Sequence, residues 1–534
     1  MNRVEVSKRI WCLFGLCIAS LNAYGQYTPN APEPHAPIAG ALFLHGGGEL
    51  TQEVRELFVN VSGGDRASLL VVSNSDTEGE PFSKELGLWE KIPRARLKRM
   101  HVASRDQADS DEFLEAIDSS NGIWFSGYQK ETLIDHYSDS RAGRKLHECL
   151  QRGGAIGGEN VGSTFAHLQL DESSRLSPGL GFLPGVLIHQ KGSESDPARR
   201  IESALESHPD HVGIEVEPTY CLVVSGRRLG GLGPSAFRIH LAKSTHRPAR
   251  VMVSKPERTL DLIALQRAAM ERKMSEFPPK ESRQPKLDAG KLLIVGGGLL
   301  PNEVLQQFIE CAGGNSSRIV YIPCSESKSI DEEPDFVAVL RKASGAEVRW
   351  IHTKDRLKAN ENNFCEPLKD ATGVWFGGGR QWNLVDSYQN TRTHRLIEMV
   401  LERGGVVGGS SAGASIQGEY MPRGDPLGNQ VMMAEGYERG LGLLRGVAID
   451  QHFSQRKRHG DMMDLKKAYP QYLGIGVDEG TALLVEGSIG RVVGRGKVSF
   501  FGEPIESKNL SDYVEITSGK SYDLVGRKVL DQTP

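Results

Sequence analysis

The sequence predicts an α/β fold built twice in one chain, each copy a mainly parallel sheet covered by helices on both faces. Three observations predict it. At 534 residues the chain exceeds one ordinary hydrophobic core and suits two domains of about 200–250 residues. Short apolar runs such as "KLLIVGG", "RIVYIP", "GVWFGG" and "GGVVGG" read as strands buried on both faces and alternate with helical patterns. Such alternation gives βαβ units and therefore parallel sheets. Finally, the chain matches itself. "GALFLHGGGEL" from Gly40 pairs with "GKLLIVGGGLL" from Gly290, and "GIWFSGYQKETLIDHYSDS" from Gly122 with "GVWFGGGRQWNLVDSYQNT" from Gly373. "RGGAIGG", "GFLPGVLIHQ" and "HVGIEVEP" find partners in the same order in "RGGVVGG", "GLLRGVAIDQ" and "YLGIGVDE".

Along the chain, the first element is a leader. Arg3, Lys8 and Arg9 precede the apolar run "IWCLFGLCIASLNA", and "AYG" supplies small residues for cleavage. The run is too short to span a bilayer comfortably, so residues 1–25 read as a signal peptide. The protein is expected to be exported, periplasmic or extracellular, without membrane attachment after cleavage. The first copy is expected over residues 38–255. Residues 256–287 carry an amphipathic helix, "ERTLDLIALQRAAMERKM", and the Pro- and charge-rich linker "SEFPPKESRQPKLD". The second copy is expected over 288–534, where "RTHRLIEMVLERGG" sets Leu396, Ile397, Val400 and Leu401 at helical spacing before closing glycines.

Composition excludes some functions. A formal net charge of −4 with no long basic run argues against a nucleic-acid groove. Beyond the leader, Cys149, Cys221, Cys311, Cys324 and Cys365 are scattered without a CxxC pair, so neither a zinc site nor a disulfide framework is indicated. No metal or cofactor is expected.

The chemistry gathers in the second copy. Gly409-Ser410-Ser411-Ala412-Gly413 fits G-x-S-x-G between an apolar strand and a helix. A sharp turn there exposes the serine oxygen and tolerates only small neighbours, which makes Ser411 the candidate nucleophile. The amide after it opens a helix and suits an oxyanion. Glycine loops also cradle phosphate, but neither "GGGLLPNE" nor "GGGRQWNL" completes such a pattern. Downstream, "IDQHFSQRKRHG" offers His452 at a strand end and His459 in a basic stretch, and "GVDEGTALL" offers Asp478 and Glu479.

"GGSSAGAS", "DQHFSQRKR" and "GIGVDEGTAL" together resemble the serine peptidases of the cyanophycinase family, relatives of the aspartyl dipeptidases called peptidase E. The resemblance covers most of residues 290–500. It implies a flavodoxin-like three-layer sandwich shared with class I glutamine amidotransferases, present here in tandem. It implies Ser411 as nucleophile, His452 as general base and Glu479 as the carboxylate orienting the imidazole, with Gly379 and the Ala412 amide forming the oxyanion hole. Gln381, Asp450, Gln451, Arg456 and Arg458 match family positions that hold substrate. The implied substrate is cyanophycin, polyaspartate bearing arginine on each side-chain carboxyl, or a related β-aspartyl or aspartyl peptide, cut to β-Asp-Arg-type dipeptides. Two positions depart from the family pattern: Asp461 replaces the third arginine of an RxRxxR run, and Arg380 replaces an acidic residue before Gln381.

In the first copy Asn160 stands in place of Ser411, Lys191 in place of His452 and Pro218 in place of Glu479. That copy is expected to be catalytically dead and to be kept as the partner in an intramolecular pseudo-dimer. Two other readings remain: a non-catalytic peptide- or polymer-binding protein, and an amidase-like hydrolase on the same fold using Cys324.

Overall fold

A computed structural model describes residues 36–74, 88–92, 96–170, 175–190, 197–234, 236–255, 258–281, 283–327, 329–502 and 513–530. The expected leader, residues 1–25, and Lys191 lie outside the described residues. The chain divides between Glu276 and Phe277 into two compact units.

Each unit has a large and a small sheet. In the first unit the large sheet runs Arg96–His101, Ser68–Ser73, Gly122–Ser126, Ala155–Glu159, Ala41–His45, then Cys221–Ser225, Arg228–Leu232 and Leu260–Asp261. The first five strands are parallel and the rest antiparallel. The second unit repeats the order: Glu347–Trp350, Arg318–Ile322, Gly373–Phe376, Val406–Ser410 and Lys291–Val295 in parallel. Thr481–Glu486, Ile489–Gly494, Ser521–Asp523 and Lys528–Leu530 follow antiparallel. The small sheet of the second unit runs Gly418–Tyr420, Leu444–Gln451, Leu473–Val477, Lys497–Phe501 and Val514–Thr517. The α/β class expected from the apolar runs is thus the observed one. The antiparallel extensions and small sheets are additions that the strand pattern alone did not specify.

The inner parallel strands are largely apolar because helices cover both faces, whereas the edge strands Arg96–His101 and Glu347–Trp350 carry charged, partly exposed residues. Leu292, Leu293, Ile294 and Val295 are all buried. Helix Arg392–Glu402 starts where the Thr391 hydroxyl accepts from the His394 amide, a side-chain cap for an otherwise unpaired donor. Its buried face includes Leu396, Ile397, Val400 and Leu401, the stripe read from spacing. Helix Asn302–Ala312 ends on Gly313 at φ +107°, a left-handed stop that favours glycine. Phe308 of that helix meets Trp375 edge-on, with ring centroids 4.8 Å apart. In the first unit Phe58 meets Trp124 in the same way at 5.1 Å.

The amphipathic helix after the first copy spans Leu262–Glu271, capped by Asp261, whose carboxylate accepts from the Ala264 amide at 2.8 Å. Leu262, Leu265, Ala268 and Ala269 lie in the first unit's core, so that unit extends to Glu276. Among the described residues no helix is long and apolar enough to cross a membrane.

Candidate active site

The site forms where the two sheets of the second unit end. Ser411 follows strand Val406–Ser410 of the large sheet; His452 follows Leu444–Gln451, and Glu479 lies two residues beyond Leu473–Val477, both of the small sheet. Adjacent carboxyl ends of parallel strands are where α/β folds collect functional groups.

Ser411 adopts φ +56°, a conformation that non-glycine residues seldom take. The turn is held because its amide donates to the Val295 carbonyl at 3.0 Å and its carbonyl accepts from Ala414 and Ser415. A sharp bend before a helix start exposes the hydroxyl. Ser411 Oγ lies 2.9 Å from His452 Nε2, and His452 Nδ1 lies 2.5 Å from Glu479 Oε1. His452 also has a positive φ, +50°, with its amide donating to Gly296 O at 2.8 Å. Asp478, the neighbouring acid, is engaged elsewhere: its Oδ1 accepts from the Ser454 amide at 2.9 Å.

The glycine run after the first strand makes room for this chain of bonds. A Cβ built on Gly297 would fall 2.4 Å from His452 Cε1, and one on Gly298 would fall 2.9 Å from Glu479 Oε2. Both have positive φ. Sequence reading tested this run only as a phosphate cradle and missed its role. The signal available was three consecutive glycines at a strand end with no phosphate-binding pattern to explain them.

Burial holds the His452 imidazole below its ordinary value of 6.5; the bond to Glu479 opposes this, and the Arg456 charge adds to it. The ring is therefore neutral at pH 7 and able to take a proton. Gly378 borders Ser411: a Cβ on it would lie 3.5 Å from Ser411 Cβ. Gly379, at φ +148°, is pressed against the Cys324 carbonyl. Ala412 is buried as the first residue of helix Ala412–Ser415, so its amide has no acceptor within the helix.

The five residues expected to hold substrate divide into two groups. Gln381 is buried, and its amide nitrogen donates to the Pro422 and Arg423 carbonyls at 2.8 and 2.9 Å. Asp450 is fully buried and accepts from Arg458 at 2.7 Å and from Arg423 at 3.0 Å. Arg458, also buried, donates further to the Gln451 carbonyl. These three brace the site. Gln451 is buried as well, but its Oε1 has no partner among the described residues. Arg456 is exposed and makes no side-chain hydrogen bond or ion pair among the described residues, one turn of chain from His452.

Sequence reading also missed Arg423, which bridges Asp450 to Asp461, the latter at 2.6 Å. Asp461 thus answers a buried guanidinium, which accounts physically for an acid at that position. Arg380 instead donates to the Asp425 carbonyl at 2.7 Å. Cys324 donates to the Arg380 carbonyl, and desolvation pushes its thiol up to about 12. Such a thiol gives no thiolate at neutral pH.

The model of peptidase family S51 matches residues 292–493. A cyanophycinase of Synechococcus elongatus is 30% identical over 296 residues, covering 49% of this chain and 88% of the relative. One of Geminocystis herdmanii is 28% identical over 214 residues, covering 39% of this chain and 79% of the relative. Among solved structures, a peptidase from an acI-B1 Actinobacterium is 25% identical with a TM-score of 0.35, covering 45% of this chain and 98% of its own. The matched segment carries the serine elbow, the histidine and the acid, and the chain belongs to the cyanophycinase-like serine-type peptidases of family S51.

Proposed function

We propose that the second unit hydrolyses cyanophycin or a related β-aspartyl peptide through Ser411, His452 and Glu479. The observation that carries this is the continuous hydrogen-bond path from Ser411 Oγ through the imidazole to Glu479, on a serine held at positive φ. In this reading His452 Nε2 takes the hydroxyl proton as Ser411 Oγ attacks the scissile carbonyl carbon. The Gly379 and Ala412 amides receive the resulting oxyanion. His452 returns the proton to the leaving nitrogen, the peptide bond breaks, and an acyl-serine remains. Water then attacks with the imidazole again as base, releasing the acid and restoring Ser411. Glu479 keeps Nδ1 protonated and Nε2 free.

Arg456 supports an acidic ligand, since guanidinium pairs with carboxylate in a bidentate fork. Gln451 Oε1 adds a buried acceptor for a substrate N–H. The decisive experiment incubates the full chain with cyanophycin and identifies products by mass spectrometry. β-Asp-Arg dipeptides are expected; intact polymer, with no cleavage of shorter β-aspartyl or aspartyl peptides either, would overturn the reading.

The basic and apolar residues of the first 25 positions support export. The repeated strand order and the collinear sequence matches support a tandem duplication whose first copy has lost catalysis. The pairing of two copies in place of a homodimer is part of the same proposal, tested by the solution mass of the full chain, which is expected to be that of a monomer.

A further inference from the structure

The first unit has a cleft of about 850 Å³ lined in part by Asn160. Asn160 follows strand Ala155–Glu159 as Ser411 follows its own strand. Tyr128, Gln129 and Lys130, also on the wall, follow Gly122–Ser126 as Gly379, Arg380 and Gln381 follow Gly373–Phe376. The position of the active site has therefore survived as an open cleft after its nucleophile was lost. Its volume lies in the range of small-molecule and short-peptide sites, about 300–1,000 Å³.

We propose that this cleft is a non-catalytic binding site for a mixed-charge peptide. Lys130 and Arg175 supply cations on the wall, and Glu131 and Asp135 supply carboxylates, so the cleft can answer both a carboxylate and a guanidinium on one ligand. Two amides offer the hydrogen bonds that a peptide backbone needs. Asn160 is exposed. Gln169 is nine-tenths buried; its oxygen accepts from Ser163 at 3.5 Å, while its amide nitrogen has no acceptor among the described residues. Gln169 lines the cleft, so this amide nitrogen is a donor that a ligand carbonyl can meet. Pro218 stands where the orienting acid would be, so a bound peptide is held and not cut. Holding polymer on the same chain as the catalytic unit raises the effective concentration of scissile bonds. The choice of ligand rests on the proposed β-aspartyl specificity of the second unit.

The test is calorimetric titration of full-length Ser411→Ala, which cannot turn the ligand over, with a short polyaspartate bearing arginine on each side-chain carboxyl. Two binding equivalents are expected. Adding Ser177→Trp, which fills the cleft wall, should remove one, and adding Gln169→Leu should weaken that one about 10-fold. An unchanged cooperative unfolding transition of Ser177→Trp by circular dichroism reports an intact fold. One equivalent indifferent to Ser177→Trp, or two equivalents both indifferent to it, overturns the cleft and leaves the catalytic reading standing. No binding together with no turnover by the native chain overturns both.

Discussion

The two elbows, at Ser411 and Asn160, share a backbone and differ in what it carries. Their φ angles are +56° and +60°. Each amide donates to the last residue of the neighbouring parallel strand, Val295 at 3.0 Å and His45 at 3.2 Å. The registers agree, Val295 opposite Ser410 and His45 opposite Glu159. Each of those neighbouring strands runs on to a glycine of positive φ, Gly297 at +100° and Gly47 at +125°. The occupants of that space differ. Gly297 makes room for the His452 ring, whereas a Cβ on Gly47 would first meet the Asn160 side chain, its oxygen at 2.2 Å. Gly298 faces Glu479, and among the described residues Gly48 has only a Thr219 methyl group within 4 Å. The glycine turns therefore belong to the sheet architecture, and the proposed catalysis rests on three side chains placed upon it. Asparagine keeps the turn because it tolerates the left-handed region better than most residues.

The comparison breaks most sharply at the nucleophile. Ser411→Ala should lower kcat by about 10⁴-fold or more, while Asn160→Ala should leave kcat unchanged, both read with a soluble β-aspartyl peptide. Neither should alter the cooperative unfolding seen by circular dichroism.

A second pair concerns the glycines. Gly297→Ala drives a methyl into an imidazole held at both ends by Ser411 and Glu479, and should cost about 10²-fold in kcat. Gly47→Ala meets the movable Asn160 amide first and should leave kcat alone. Both place alanine at positive φ, so both should lose about 1 kcal/mol of stability in denaturant titrations.

How far these distinctions could be read from sequence depends on the range of the interaction. The elbow, the histidine and the acid were legible because each motif is a few residues long and ends a strand, where chemistry is expected. The helix stripe Leu396, Ile397, Val400 and Leu401 was legible for the same local reason. The bracing of Asp450 by Arg458 and Arg423 was not. "RKR" at 456–458 carries two arginines two residues apart with opposite fates, one exposed and one buried, and only the small sheet decides which. Arg423 carried no signal, since its partners Asp450 and Asp461 are far along the chain. The antiparallel strands after Glu479 were not read, since segments such as Ser521–Asp523 and Lys528–Leu530 are too short and too polar to mark a strand, and nothing local says which sheet each joins.

Arg456 sharpens the contrast at smaller amplitude. Arg456→Gln should raise KM about 10-fold with little change in kcat. It should also move the acid limb of the kcat profile to higher pH. The sign follows from the proposed mechanism, in which the working form is neutral His452, whose folded value lies below 6.5 through burial and the Arg456 charge. Activity of the native chain should persist as pH falls through 6.5 and be lost below it; removing a nearby cation lets the ring protonate earlier. Smallest of all, Asn160→Ser added to Ser411→Ala should restore no measurable hydrolysis, because Pro218 leaves the first unit without an orienting acid.

The central claim is that one of the two elbows is chemically active. Its most direct test is reaction of the native chain with a serine-directed phosphonofluoridate, followed by intact-mass measurement and peptide mapping. The account predicts one equivalent per chain, on Ser411, with loss of activity in proportion and with labelling suppressed at low pH as His452 protonates. Full inactivation with Ser411 unmodified, or modification of Ser411 with activity retained, would contradict it.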